Sequence, residues 1–95
     1  MAHYVYILYS ARLDRYYVGE SEDPQRRLLE HLGHKYKGAA TGKATDWEIR
    51  LAIACNDRSH ARKLELWIKA QKSRVIVERI LNEEEYRSFQ IQRFQ

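Results

Sequence analysis

The sequence has one cysteine, one proline and four glycines among its 95 residues. The single cysteine, Cys55, excludes an internal disulfide, and its Ile-Ala-Cys context is typical of a small, buried apolar residue. No apolar run is long enough to span a bilayer, and no basic segment precedes an apolar stretch at the N-terminus. We therefore predict a cytoplasmic protein that does not associate with membranes.

The length and the net charge indicate the number of domains and the kind of partner. Ninety-five residues predict one domain, residues 1–95, with a single hydrophobic core. Seventeen Lys and Arg against thirteen Asp and Glu give a net charge of +4. This modest basic excess suits a phosphate-bearing partner without identifying one.

The N-terminal residues predict a β-hairpin. Residues 4–9 are rich in aromatic and β-branched side chains, and residues 16–18 repeat that composition after a short polar connection. If the loop consists of residues 10–13, counting inward places Tyr6 opposite Tyr17. Directly opposed residues project to the same face, so the two phenols are expected side by side.

A capped helix follows the hairpin. Gly19 marks a bend where backbone or ligand can approach closely. Asp23 is placed to cap the free amides of a helix, and Pro24 suits the first helical position. Arg27 and His31 are four residues apart, so they share one face of that helix.

A basic loop and a third strand come next. The segment 34–43 contains Lys35, Lys37 and Lys43 together with two glycines, a composition that suits contact with phosphate groups. Residues 47–53 begin with alternating apolar and polar side chains, which predicts a strand with one exposed face.

The C-terminal half is predicted to be helical. Asn56, Asp57 or Ser59 can cap a helix whose Glu65 lies beside the core-facing stripe. That stripe comprises Ala61, Leu64, Trp67, Ile68 and Gln71. Residues 75–81 fit a strand or a helix. We favour a helix, because Asn82 and the following glutamates then begin a last helix with a cap and an acidic first turn.

The ordered set of motifs resembles the GIY-YIG nuclease domain. It consists of Tyr-Val-Tyr at 4–6, Tyr-Val-Gly at 17–19, Arg27 and His31 on the first helix, and Glu65 on a later one. The resemblance is greatest to small stand-alone bacterial members of that family. It implies an α+β fold, in which a small three-stranded antiparallel sheet is flanked by helices.

The resemblance spans residues 4 to about 72, so residues 73–95 are expected to form a C-terminal helical extension. In its first motif the family name has Gly where this chain has Tyr4, and a carboxylate, Glu20, follows Gly19 directly. That carboxylate could repel the substrate, help to hold a cation, or point away.

The resemblance also implies a role for each residue of the set. Tyr6 is the candidate general base, and Tyr17 is a hydrogen-bond donor that positions phosphate. Arg27 can hold a non-bridging phosphate oxygen, and His31 can donate a hydrogen bond or relay a proton. Glu65 is the single carboxylate ligand of Mg²⁺ or Mn²⁺, ions that retain several waters and need few protein oxygens.

Each of these residues has a structural alternative. Tyr6 and Tyr17 fit a simple cross-strand aromatic pair, Arg27 fits a solvated helix residue, and His31 fits a histidine that pairs locally with the backbone. Glu65 and Lys69 are four apart, the spacing of an ordinary surface ion pair. The order of the whole set favours the catalytic interpretation.

We therefore predict a metal-dependent endonuclease that hydrolyses phosphodiester bonds in DNA, with branched or damaged DNA among its substrates. A non-catalytic nucleic-acid-binding domain and a protein-interaction module are the alternatives. Specificity would come from DNA shape or from a partner protein, because so small a domain has little surface for selecting long sites. The residues predicted to contact the nucleic-acid backbone are Arg26, Lys35, Lys37 and Lys43.

Overall fold

A three-stranded antiparallel sheet is central to the computed structural model, which describes residues 2–32 and 44–95. Its strands are β1 (His3–Ser10), β2 (Arg15–Ser21) and β3 (Glu48–Cys55). Their order is β2-β1-β3, so β1 is central and β2 forms one edge. The predicted α+β class and the antiparallel sheet are confirmed.

Four helices accompany the sheet in the described part of the chain. They are α1 (Pro24–Leu32), α2 (Arg58–Gln71), α3 (Arg74–Asn82) and α4 (Glu84–Arg93). The segment 75–81, which fits either a strand or a helix by sequence, is helical. None of the described helices has the length and apolarity needed to cross a membrane.

Two aspartates begin helices as predicted. The Asp23 carboxylate accepts a hydrogen bond from the backbone N–H of Arg26 at 3.1 Å, with Pro24 as the first helical residue. Among the three candidates for the cap of α2, Asp57 does this by accepting from the backbone N–H of His60 at 2.8 Å. These bonds satisfy amides that the first helical turn leaves without partners.

The predicted Asn82 cap is wrong. Asn82 is the last residue of α3, and Glu83 precedes α4 without a capping side-chain hydrogen bond. The acidic first turn is present, since Glu84 and Glu85 open α4. Their charges interact favourably with the helix dipole, which lets the helix begin without a side-chain cap.

The predicted hairpin register is also wrong. Tyr6 lies opposite Gly19, and Tyr17 lies opposite Leu8. The strands extend to the Ser10 pairing with Arg15, so the connection comprises residues 11–14 and ends on Asp14, whose φ is 51°. Because the error is two residues and side chains alternate with a period of two, Tyr6 and Tyr17 still project to the same face.

One face of the sheet, the aliphatic face, is covered by α2 and α3. The strands contribute Val5, Ile7, Val18 and Ile53 to it. The helices contribute Ala61, Leu64, Ile68, Val77 and Ile80. All of these side chains are buried and carry no polar atoms, so this face forms the larger core of the molecule.

The opposite face, the aromatic face, packs against α1. Its buried side chains are Tyr6, Leu8, Ala44 and Trp47. Tyr17, Leu28, Leu32 and others cover them partly. This second cluster is smaller and richer in aromatic rings, and it positions the predicted site residues of β1, β2 and α1.

The last helix is joined to the start of α2 through a buried histidine. The Nδ1 atom of His60 accepts from the backbone N–H of Asn56 at 3.0 Å, while Nε2 lies 2.8 Å from the carbonyl oxygen of Ile91. A ring nitrogen that accepts from an amide carries no proton, so the proton is on Nε2 and is donated to Ile91. His60 therefore joins the residues before α2 to α4 through both of its ring nitrogens.

Candidate active site

Tyr6 reaches from the central strand across the edge strand. Its side chain is 1% exposed, and its ring lies directly over Gly19 of β2. A Cβ atom at Gly19 would stand 2.5 Å from the Tyr6 hydroxyl oxygen and 2.6 Å from Cζ. Glycine is therefore required at this position for the close approach of the Tyr6 ring.

Two further aromatic side chains surround the Tyr6 hydroxyl. His31 of α1 is 3% exposed, and its Nε2 atom lies 3.3 Å from the Tyr6 oxygen. The Tyr17 ring centroid is 5.0 Å from that of His31 and 6.4 Å from that of Tyr6. The guanidinium of Arg27, one turn before His31, interacts with the Tyr6 hydroxyl.

Glu65 belongs to α2, and its side chain is buried. The residue is 6% exposed, and its Oε2 atom accepts a hydrogen bond from Lys69 at 2.9 Å. Its Oε1 atom is also buried and has no hydrogen-bond partner in the described structure. The Lys69 ammonium lies 5.5 Å from the centroid of the Tyr17 ring, so Lys69 links Glu65 to the tyrosines.

Burial dominates the electrostatics of the site. Burial, with smaller contributions from Tyr17 and Glu65, raises the pKa of Tyr6 to about 12, although Arg27 offsets part of the rise. Burial and the Arg27 charge lower the pKa of His31 below its ordinary value. At neutral pH the site therefore holds a protonated phenol beside a neutral imidazole.

Glu20 interacts with basic groups. It is paired with His3, and one of its oxygens lies 3.9 Å from Nε of Arg58. The negative charge of Glu20 is thus offset by His3 at the start of β1 and by Arg58 at the start of α2. A charged groove of about 550 Å³ is lined by Glu20 and by His3, Ser21, Glu22, Arg26, Arg27, Asp57 and Arg58.

The predicted nucleic-acid contacts are only partly described. Arg26 lines the charged groove and is exposed, with its nearest carboxylate, on Glu22, 4.0 Å away. Lys35, Lys37 and Lys43 lie outside the described residues. Of this set, the structure therefore gives a position for Arg26.

The donor set around Glu65 suits a lightly held metal ion. Within residues 2–32 and 44–95, no group of three or more His, Cys, Asp or Glu side chains could hold a metal. The buried Oε1 of Glu65 is a single carboxylate oxygen without a partner in the described part of the protein. Mg²⁺ accepts such an arrangement, because it keeps several waters and shares its remaining positions with substrate phosphate.

An ordinary surface ion pair with Lys69 is the structural alternative that the sequence leaves for Glu65. The ion pair is present, but the carboxylate that Lys69 contacts is buried, and the Lys69 ammonium lies against the Tyr17 ring. The i,i+4 spacing to Glu65 was the available signal. Burial of one partner could not be derived from that spacing.

The fold and the site together define a class: a small α+β domain in which two tyrosines, an arginine, a histidine and a buried glutamate gather around one edge strand. The family model described as the GIY-YIG catalytic domain matches residues 2–79 of the 95. The chain belongs to the GIY-YIG family, a nuclease-type family whose enzymes use a divalent metal. Searches of curated proteins and of solved structures gave no significant match.

Proposed function

We propose that the protein is an endonuclease that hydrolyses phosphodiester bonds in DNA with the help of Mg²⁺ or Mn²⁺. The observation that carries this proposal is the buried Oε1 of Glu65, which has no hydrogen-bond partner among the described residues; the charge of Glu65 also acts on the Tyr6 phenol. A purely structural carboxylate would be expected to use both oxygens in hydrogen bonds.

Glu65 is the residue that would hold the metal, through Oε1. Lys69 occupies the other oxygen and thereby fixes the orientation of the carboxylate. When bound, the ion supplies positive charge that offsets the charge developing on phosphate and leaving oxygen. Arg27 adds a second, permanent positive charge and a planar set of donors for a non-bridging phosphate oxygen.

Tyr6 and His31 provide a route for the proton of the attacking water. With a pKa of about 12, only about one Tyr6 side chain in 10⁵ is ionised at pH 7, so direct action as a phenolate is inefficient. The neutral Nε2 of His31 lies 3.3 Å from the Tyr6 oxygen and can accept the phenol proton. Tyr6 then takes a proton from water as it passes its own to His31, while water forms the new P–O bond and the leaving oxygen departs.

Tyr17 completes the arrangement as a donor to phosphate. Its ring lies beside both Tyr6 and His31, and Lys69 lies over it. A phenol in this position can donate to a non-bridging oxygen without changing its own charge. The substrate phosphate is thereby placed among Tyr17, Arg27 and Glu65.

The experiment is a metal-dependent cleavage panel on supercoiled, single-stranded, duplex, flap and junction DNA. Tyr6→Phe, Arg27→Ala and Glu65→Gln should each reduce the cleavage rate by about 100-fold or more, the usual cost of removing a transition-state contact. Tyr9→Phe and Glu48→Gln are the matched controls, and both should cleave like the wild type. Equal cleavage by all variants would mean that the activity comes from a contaminant and would contradict the proposal.

A non-catalytic DNA-binding domain is the second candidate. The ion pair between Lys69 and Glu65 favours it, because that pair neutralises the carboxylate intended for the metal. This function requires only the basic groups beside the site, with Arg26 and Arg27 contacting the DNA backbone. It predicts salt-sensitive binding that is independent of metal, with no cleavage of any substrate in the panel.

A further inference from the structure

A second cleft adjoins the candidate active site along the edge strand β2. It has a volume of about 480 Å³ and lies between β2, the end of α2 and the start of α3. Tyr17 and Lys69 line this cleft and also take part in the site, Tyr17 beside His31 and Lys69 on Glu65. A ligand in the cleft would therefore lie next to a phosphate bound at the site.

The lining of this cleft combines apolar and aromatic side chains. Val18, Ile68 and Val77, which belong to the buried core, form its aliphatic floor, and Tyr16 and Tyr17 contribute aromatic rings. Small-molecule pockets typically measure about 300–1,000 Å³, so the space is sufficient for one nucleotide. A flat heterocycle is the chemistry that such a lining accepts.

The remaining lining residues are mainly basic. Arg15, Lys69, Lys72 and Arg74 line the cleft, against a single lining carboxylate, Asp14, which is paired with Arg74 at 2.7 Å. Arg15 and Lys72 are exposed and make no ion pair within the part of the chain that the structure describes. The cleft thus offers apolar surface and uncompensated positive charge side by side.

We propose that this cleft binds one unpaired nucleotide of the DNA strand, adjacent to the phosphate held at the active site. The base lies against the apolar lining, and its phosphate lies near Lys72 and Arg15. The placement relative to the scissile phosphate rests on the proposed function. Since β2 is an edge strand, an added peptide strand is the other candidate occupant, but the excess of positive charge favours nucleic acid.

This placement defines a substrate class. A base inside a duplex exposes only its edges, so its flat face reaches the cleft only after it has left the stack. Single strands, flaps and bulges already contain such a base, whereas a blunt duplex must be unstacked at a cost of a few kcal/mol. Substrates with an unpaired nucleotide at the cleavage position should therefore be preferred.

The test measures binding in the absence of metal, using the Glu65→Gln protein and labelled oligonucleotides of one sequence. A single strand and a duplex with a one-nucleotide bulge should bind about tenfold more tightly than the blunt duplex, the order expected for stacking one base. Lys72→Glu should remove this preference. Lys63→Glu makes the same charge change on an exposed position of α2 outside the cleft, and it should leave the preference intact.

Photocrosslinking locates the base independently of any substitution. A single strand carrying 5-iodouracil should crosslink to Tyr16 or Tyr17, as identified by mass spectrometry of the peptides. Equal affinity for single strand and blunt duplex would overturn the inference. So would crosslinks confined to other regions, or a preference unaffected by Lys72→Glu in a folded variant.

The binding test and the cleavage panel together separate this inference from the proposed function. If the wild-type protein cleaves nothing, the binding preference and crosslinks remain measurable, and only the nuclease proposal fails. If metal-dependent cleavage occurs at equal rates on blunt and bulged duplexes, the nuclease proposal stands and the cleft assignment fails.

Discussion

The two faces of the sheet differ in the kind of side chain they bury. The aliphatic face carries Val5 and Ile7 of β1 beneath α2 and α3, and its described core is formed almost entirely by aliphatic side chains. The aromatic face carries Tyr6 of the same strand beneath α1, and its hydroxyl lies beside His31 and Arg27. Alternate residues of one strand therefore lie in an aliphatic core on one side and in the candidate active site on the other.

Ile7→Ala should have the largest effect on stability. Its side chain is fully buried, so its truncation leaves a cavity and should lower the free energy of unfolding by about 2–5 kcal/mol. Tyr6→Phe keeps the ring and removes only the hydroxyl, so its cost should be about 1 kcal/mol. Urea denaturation of the two variants measures the difference. Similar losses from both would break the distinction between the faces.

Gly19→Ala should destabilise the aromatic face by about 1–3 kcal/mol, because the added methyl group overlaps the buried Tyr6 ring. A double-mutant cycle with Tyr6→Leu identifies the cause. Once the ring is gone, Gly19→Ala should cost clearly less than in the wild-type background. Additive costs would show that the Tyr6 ring is not what requires glycine.

The contribution of the aromatic face to folding stability should fall at both acidic and alkaline pH. His31 has a lowered pKa, so its contribution to stability is complete above about pH 6.5 and is lost as the pH falls through the folded-state value. Tyr6 has a raised pKa, so its contribution is complete below about pH 10 and is lost as the pH approaches 12.

Urea midpoints across the pH range test this. His31→Gln should reduce the acidic decline, and Tyr6→Phe should reduce the alkaline one. Ile7→Val changes the aliphatic face and affects no titratable group, so this variant should keep both the acidic and the alkaline decline in stability. If the two aromatic-face variants keep the wild-type profile, other groups control the pH dependence.

Arg26→Ala should have the smallest effect on folding. The side chain is exposed and lies 4.0 Å from its nearest carboxylate, so stability should change by less than about 0.5 kcal/mol. If Arg26 contacts a DNA phosphate, the slope of log affinity against log salt should fall in magnitude by about 1. Arg62→Ala, also exposed but outside the charged groove, is the control and should leave the slope unchanged.

The elements and their faces could be predicted from local patterns. The aromatic and β-branched composition of 4–9 and the Asp-Pro start at 23–24 are short-range signals that the folded structure retains. The hairpin register was missed because the left-handed Asp14 and the extension of β1 to Ser10 depend on the geometry of the turn. The prediction that Tyr6 and Tyr17 share one face is correct, because it depends only on whether the register shift is even or odd.

The environment of Glu65 could not be predicted in the same way. Its spacing to Lys69 is a local signal, whereas its burial depends on how closely α2 packs against β1 and β2. The same tertiary packing creates the cleft beside β2, whose lining residues come from two distant parts of the chain. Long-range packing of this kind has no signature in a single helix.

The histidine between α2 and α4 limits how far the chain could be trimmed. The family model ends at residue 79, but the Nε2–H of His60 donates to the carbonyl of Ile91, beyond that boundary. Deleting α4 would leave a buried donor without its acceptor and uncover the helix that carries Glu65. A shortened domain that retains every family motif would therefore lose support at the N-terminal end of the helix that carries Glu65.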